Sequence, residues 1–386
     1  MIGESTIYED KMKSIVKSNF ALISLFLFFT IIVINASTIH YAYKKLTCPK
    51  CVSGGDYSII LKEERIINPK QRTDELIKNS ITKFNNLWHN PIYLDSIPYI
   101  THHVYFTPTK KPLEIIHSNT ISIATKILTL NKINDKWKHI IWTNNFTIIP
   151  PIFKNIENLE IRDISEFKDH KLYQDMATFI YATNFKKHFF STSSDIARLM
   201  ALEKFGGLYM DLDYEIYDYK TLVQLLRTND FVTGILASRG EFFEANNALI
   251  ASKPNHPILK TALNLIDRNL NATDKPAYIK FPCSRFLSIL STAGPVNFTV
   301  AIYNSMQPKT DILLPIRMIY NVDKISPKIT LPGELYGVNY LSIPIGDDRF
   351  AGSWIIKTDW DECPCLKDFK TEQLKLLQNI DSSTAD

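Results

Sequence analysis

Residues 191–214 read STSSDIARLMALEKFGGLYMDLDY, and the fold follows from how this stretch is parsed. Ser193 and Ser194 are good helix N-caps, and Asp195 suits the positive end of a helix. The spacing predicts a helix over 195–204, with Ile196, Leu199, Met200 and Phe205 as its apolar stripe. Gly206-Gly207 ends it, because glycine adopts the left-handed conformation that a C-cap needs. Leu208-Tyr209-Met210 then reads as a short strand that delivers Asp211-Leu212-Asp213.

In an extended segment residues i and i+2 point the same way, so Asp211 and Asp213 are expected on one face with backbone positions about 6.6 Å apart. Two carboxylates at that separation repel by roughly 2–3 kcal/mol at an effective dielectric near 20. A divalent cation would relieve that repulsion. Hard cations such as Mg²⁺ and Mn²⁺ take oxygen ligands, commonly one or two carboxylates with substrate phosphates completing the set. Asp211 and Asp213 are therefore the candidate metal ligands. Asp195 and Arg198 sit three apart and share a helix face. Spacing alone leaves them equally readable as a surface ion pair or as groups that bind sugar hydroxyls and steady charge.

Outward from this stretch the chain alternates short apolar runs with helical ones. Residues 138–142 (KHIIW) read as a buried strand ended by the turn-prone Thr143-Asn144-Asn145. Residues 159–164 and 230–236 read as further strands. That alternation predicts an α/β domain with a mostly parallel sheet.

Residues 41 to about 90 read as a stem containing one helix, over 74–86. Between Lys17 and Lys44 there is no charged residue, and residues 20–34 read FALISLFLFFTIIVI. A helix over 18–39 would be about 33 Å long, enough for a bilayer core of roughly 30 Å. The expected organisation is an N-terminal tail (1–17), a transmembrane signal anchor (18–39), a stem and helical region (40–94), the α/β domain (95–366) and a C-terminal tail (367–386). Lysines flank the apolar run equally, so charge does not orient it. Sequons at Asn145, Asn271 and Asn297 would suit a secretory lumen.

Of the 386 residues, 45% are hydrophobic and 22% charged, which reads as globular. The net charge of +4 is spread out, with no basic block, so nucleic-acid binding has little support. Five cysteines (Cys48, Cys51, Cys283, Cys363, Cys365) include a C-x-x-C and a C-x-C. The second is a poor match to zinc spacings, and disulfides or idle thiols remain alternatives.

The run S-D-I-A-R-L-x-A-L-x-K-F-G-G-L-Y-M-D-L-D resembles the Asp-x-Asp sugar-binding region of the glycosyltransferase family that includes the yeast initiating α-1,6-mannosyltransferase. The catalytic domains of the large clostridial glucosylating toxins share the pattern. The resemblance implies a GT-A fold, an α/β nucleotide-sugar-binding sheet with helical additions, and a metal-dependent, retaining hexosyltransferase. It implies donor contacts at Asp195, Arg198 and Tyr209, with Asp211 at ribose, sugar and metal, and Asp213 on the metal. Catalytic roles accordingly fall to Asp195, Arg198, Asp211 and Asp213. Trp142 matches the tryptophan that stacks on the base, and Asn247 the family's donor-site asparagine, whereas His256-Pro257 reads as structural. Asp347-Asp348-Arg349-Phe350-Ala351-Gly352-Ser353-Trp354 resembles the closing element, so Ser353 and Trp354 are expected over the donor phosphates. Two aspartates stand there where many members have histidines, which admits Asp347 or Asp348 to the metal's surroundings.

The expected cofactor is Mn²⁺ or Mg²⁺, the donor a UDP- or GDP-sugar, and the acceptor a glycan, lipid or protein. The membrane would be engaged through the N-terminal helix. The setting would be the Golgi lumen, or a bacterial membrane or secreted effector. The alternatives are a metal-dependent phosphohydrolase and an inactive sugar-binding membrane protein.

Overall fold

The computed structural model describes residues 57–106, 114–181, 189–239, 241–280, 285–319 and 345–348. The apolar run 18–39, all five cysteines, Ser353 and Trp354 lie outside the described residues. Among the described residues no helix is long and apolar enough to cross a membrane.

The helices are α1 (Tyr57–Glu63), α2 (Pro69–Asn86), α3 (Glu114–Ile133), α4 (Tyr173–Tyr181), α5 (Phe189–Phe205), α6 (Tyr219–Thr228), α7 (Pro257–Asn271), α8 (Ala277–Lys280), α9 (Arg285–Thr292), α10 (Pro295–Ser305) and α11 (Ile316–Ile319). The strands are β1 (Ile100–Tyr105), β2 (Lys138–Thr143), β3 (Leu159–Asp163), β4 (Gly207–Met210), β5 (Tyr214–Ile216), β6 (Phe231–Arg239), β7 (Phe242–Ser252), β8 (Asp311–Leu314) and β9 (Gly346–Asp348). Seven strands form one sheet in the order β3-β2-β1-β4-β7-β6-β8, and β5 pairs with β9 in a small second sheet.

The expected α/β class holds, but the sheet is mixed. The β3-β2-β1-β4 half and the β6-β8 pair are parallel, while β7 runs antiparallel to both β4 and β6. From β1 the chain builds outward through β2 to β3 and later returns to place β4 on the other side of β1. In open α/β sheets, ligands bind beyond the carboxyl ends of the strands where the order reverses. Here that point lies between β1 and β4, and the residue that follows β4 is Asp211.

Strand alternation divides the core. Tyr209 packs with Ile196, Met200, Leu259, Phe298 and Ile302 of α5, α7 and α10 on one face. Leu208 and Met210 pack on the other with Leu222, Leu225 and Leu226 of α6. The segment expected to be a stem joins the first face. Leu61, Leu76 and Ile77 are buried there, so from residue 57 onward it is part of the folded body. Helix α2 also starts earlier than expected, at Pro69, because proline is well tolerated in a first turn.

Helix α5 begins at Phe189 rather than at Asp195, and Ser193 and Ser194 lie inside it. Ser193 is fully buried and its hydroxyl donates to the Met176 carbonyl 3.4 Å away. Packing of the added turn against α4 thus overrides the capping preference of serine. The Gly-Gly stop is as expected. Gly206 has φ +64° and Gly207 φ +100°, and a Cβ on Gly207 would lie 2.3 Å from the Ile100 carbonyl oxygen. No other residue lets the chain turn this tightly from α5 into β4 beside β1.

Candidate functional site

The strand ends at Met210, and the two aspartates stand on a turn rather than on an extended run. The Asp211 amide donates to the Ala248 carbonyl of β7 at 2.9 Å, and the Tyr214 amide closes back on the Asp211 carbonyl at 3.1 Å. The i,i+2 spacing argument therefore does not apply to Asp211 and Asp213. Their carboxylates still feel each other, since the charge on Asp213 helps raise the pKa of Asp211.

Three elements meet at this turn. Helix α5 contributes Asp195 and Arg198, β4 contributes Tyr209, and β7 contributes Asn247. Arg198 is the hub. Its Nη2 lies 3.0 Å from Asp195 Oδ1 and its Nη1 3.2 Å from Asp211 Oδ1. Nη1 also donates to the Asn247 carbonyl at 2.6 Å, and the guanidinium lies 4.5 Å above the Tyr209 ring. Asn247 Nδ2 donates to Asp195 Oδ1 at 2.9 Å, and the Tyr209 hydroxyl donates to Asp211 Oδ1 at 2.5 Å. The side chains of Asp195 and Arg198 are only 8% and 7% exposed, so the surface ion-pair reading of the two falls away. Asp211 is 30% exposed and opens one edge of the cluster to solvent.

Asn247 reaches Asp195 through an irregularity in β7. The β6–β7 register jumps from Thr233↔Ile250 to Ile235↔Ala245. The extra residues form a bulge pinned by Thr233, whose hydroxyl bonds the carbonyls of Asn246 (2.7 Å) and Leu249 (2.9 Å). Bulges of this kind re-aim side chains beside functional sites.

The charges at the turn are only partly compensated. Burial pushes Asp195 up to about 7, against the pull of Arg198 and with the Asp211 charge adding to it. Burial likewise raises Asp211, with Arg198 opposing and Asp213 adding. Arg198, with Lys126 acting on Asp211 from behind the turn, sets two positive charges against these three carboxylates. The cluster is short of positive charge at the turn, which is the condition a divalent cation would meet. Among the described residues no three His, Cys, Asp or Glu side chains converge as a ready-made metal cage. A bound Mg²⁺ or Mn²⁺ would thus take most of its oxygens from phosphate and water, which suits those ions.

Other expected residues fall elsewhere. Trp142 is fully buried, wedged against Phe167 and Phe205 with Arg162 over its ring, and offers no face to a base. Its Nε1 donates to His102 Nδ1 at 3.1 Å, and His102 Nε2 lies 2.8 Å from the Gly206 carbonyl. Because Nδ1 accepts, His102 is neutral with its proton on Nε2, and burial holds its pKa down at about 4. Trp142 therefore supports the Gly-Gly turn from inside the core. His256 caps α7 by accepting from the Ile258 amide at 3.3 Å, the structural role expected of it.

Asp347 lies in β9 opposite Glu215 of β5, and both carboxylates accept from the Tyr217 hydroxyl at 3.4 and 3.3 Å. Burial, then Asp347 and Glu215, push Tyr217 up to about 12. Of Asp348 only the strand position is described. Asn297 is 1% exposed, donates to the Ala262 carbonyl and accepts from Asn269, so it is a core residue and not a glycan acceptor.

Sequence reasoning passed over Lys126, which is buried behind the aspartate turn. The signal was available, since it is the one charge in the apolar helical run 121–130 (ISIATKILTL).

Residues 122–231 match the family described as "Glycosyltransferase sugar-binding region containing DXD motif". The span runs from α3 to the start of β6 and holds Asp195, Arg198, Tyr209, Asp211 and Asp213; Asn247 lies beyond it. No curated protein matches the chain. Among solved structures it is similar to the PaToxG glycosyltransferase, with 22% identity over 62% of this chain and 79% of that one and a TM-score of 0.40. It is also similar to the UDP-bound glycosyltransferase domain of the YGT toxin, at 12% identity over 57% and 80% with a TM-score of 0.39. A third is the galactosyltransferase LgtC in complex with donor and acceptor sugar analogs, at 12% identity over 71% and 94% with a TM-score of 0.37. The family match thus places Asp195, Arg198, Tyr209, Asp211 and Asp213 in a segment similar to a glycosyltransferase sugar-binding region.

Proposed function

We propose that the chain is a retaining glycosyltransferase that uses Mn²⁺ or Mg²⁺ to move a hexose from a UDP- or GDP-sugar to a glycan, lipid or protein acceptor. The observation that supports this best is the convergence of Asp195, Arg198, Tyr209 and Asn247 on the Asp211–Asp213 turn. That turn lies at the carboxyl end of β4, beside the point where the strand order reverses.

Asp213 and Asp211 would hold the cation. When bound, it would supply the positive charge that a departing diphosphate needs. Arg198 holds Asp195 and Asp211 at fixed positions through its bonds to both, and its stacking on Tyr209 keeps the guanidinium from swinging out. Oδ1 of Asp195 already takes bonds from Arg198 and Asn247, so its other oxygen would accept from a donor-sugar hydroxyl. The bond between the anomeric carbon and the diphosphate oxygen would break as the acceptor oxygen attacks from the same face. The acceptor's proton would pass to the leaving phosphate oxygen. Ser353 and Trp354 would close over the phosphates, as the motif implies. The apolar run 18–39 would anchor the enzyme to a membrane.

A donor screen with Mn²⁺, reading released nucleotide, tests the activity, with simple phosphate esters as the contrasting substrates. Turnover of a nucleotide-sugar, its loss with EDTA, and its loss in a folded Asp213→Ala variant are the expected results. Full activity in EDTA would overturn the metal role. Cleavage of phosphate esters alone would point to a hydrolase.

A further inference from the structure

Lysine is an expensive choice at position 126. Helix α3 buries Ile123, Ile127 and Leu130 at 0–1% exposure, and Lys126 lies on the same stripe at 3%. An ammonium taken out of water must find acceptors for its donors or cost several kcal/mol. Lys126 finds them in the backbone of the aspartate turn. Its Nζ donates to the Tyr214 carbonyl at 2.5 Å and lies 3.5 Å from the Leu212 carbonyl.

Those two carbonyls flank Asp213. The Leu212 carbonyl belongs to the peptide plane that enters Asp213, and the Tyr214 carbonyl to the plane that leaves the turn for β5. Fixing both planes jointly restricts the torsions of Asp213 and Tyr214 that link them, and with them the direction of the Asp213 Cα–Cβ bond. Helix α3 packs against β5 and the core beneath the turn, so the clamp is tied to a rigid element.

We propose that Lys126 is a positioning residue for the Asp-x-Asp turn, holding Asp213 in the orientation that receives a divalent cation. The inference rests on the reading of that turn as a cation and diphosphate site. It differs from a counter-charge role in the sign of its effect. Removing a buried cation near two carboxylates should, by charge alone, tighten divalent binding. Removing a clamp should weaken it.

The test is titration of the full-length protein with Mn²⁺, alone and with UDP present, followed by the electron paramagnetic resonance signal of free Mn²⁺. Wild type, Lys126→Met, Lys126→Gln and Asp213→Ala are compared, with thermal melts as the check on folding. Lys126→Met is expected to lose at least about tenfold in Mn²⁺ affinity, the scale on which partners of metal ligands act. Lys126→Gln, which keeps a donor on a shorter stem, is expected to lose less, and serves as the readout should the methionine variant not fold. Affinity unchanged or tightened in a folded Lys126 variant, with binding abolished in Asp213→Ala, would overturn this inference alone. A wild type that binds no Mn²⁺, either alone or with UDP present, would overturn it together with the cation role of the turn.

Discussion

Buried charge is handled differently at the two ends of the central sheet. Beyond the carboxyl end of β4, Asp195 and Asp211 share one arginine and both are raised above the ordinary carboxylate range by burial. At the other end, where β6 and β8 begin, each acid has its own donors. Asp311 takes the His256 Nε2 proton at 3.1 Å and the Gln307 amide at 2.7 Å. Asp230 takes Lys253 at 2.7 Å and Ser96 at 2.5 Å. Burial would raise Asp230, but the bonds from Lys253 and Ser96 outweigh it and its pKa is lowered. The second cluster is complete within the chain and reads as structure. The first sets three carboxylates against Arg198 and the more distant Lys126, and groups shifted this far by burial and neighbouring charge are candidates for function.

The sharpest way to break the contrast is to neutralise one acid at each end. Asp211→Asn keeps an oxygen for Tyr209 and Arg198 but removes the charge. Turnover is expected to fall by roughly 10²–10³, the scale for losing one charge-stabilising group in an active site. Stability should hold or rise, because a poorly compensated buried charge has gone. An Asp211→Asn variant with normal turnover would place the chemistry elsewhere.

Asp311→Ala should do the reverse. It strands the buried His256 and the Gln307 amide, and removal of one member of such a pair costs about 3–5 kcal/mol. Denaturant unfolding should show that loss, while the KM for donor in the protein that remains folded stays unchanged. Equal stability loss at both ends would mean the two clusters are both structural.

The parts legible in the sequence were those set by local pattern. Strands form within the runs 138–142 and 230–236, whose apolar residues cluster, and within 159–164, where they alternate with charged ones, and the Gly-Gly stop is readable because few residues tolerate positive φ. The strand β1 (ITHHVY) was not legible. Its Thr101, His102 and His103 look polar, yet all three are buried at 0% and bonded across the sheet. The antiparallel setting of β7 is a tertiary fact that no local spacing encodes. Trp142 shows the limit of a motif match. The residue is where the pattern puts it in the chain, but His102, Phe167 and Phe205 close around it. Asp195, Arg198, Tyr209 and Asn247 do meet, although only the pairing of Asp195 with Arg198 could be read from spacing.

The smallest effect, taken per pH unit, is a stability slope, and it sharpens the comparison most directly. Burial raises the Asp195 carboxyl from its ordinary value of 3.8 to about 7 in the folded protein. Between those two pH values the folded chain holds a proton that the unfolded chain has released. Stability must therefore fall as pH rises through this window, by about 1.4 kcal/mol per unit for one proton. His102 and His139, both lowered to about 4 by burial, act in the opposite sense, since the unfolded chain takes up their protons below about 6.5. A single pH–stability curve would mix the two. The difference between wild type and Asp195→Asn, measured in a chelator at several values from pH 4 to 7, cancels the histidines and leaves Asp195. That difference should grow with pH in favour of the variant. A flat difference would mean that Asp195 is ionised throughout, and that the Arg198 cluster is as complete as the one around Asp230.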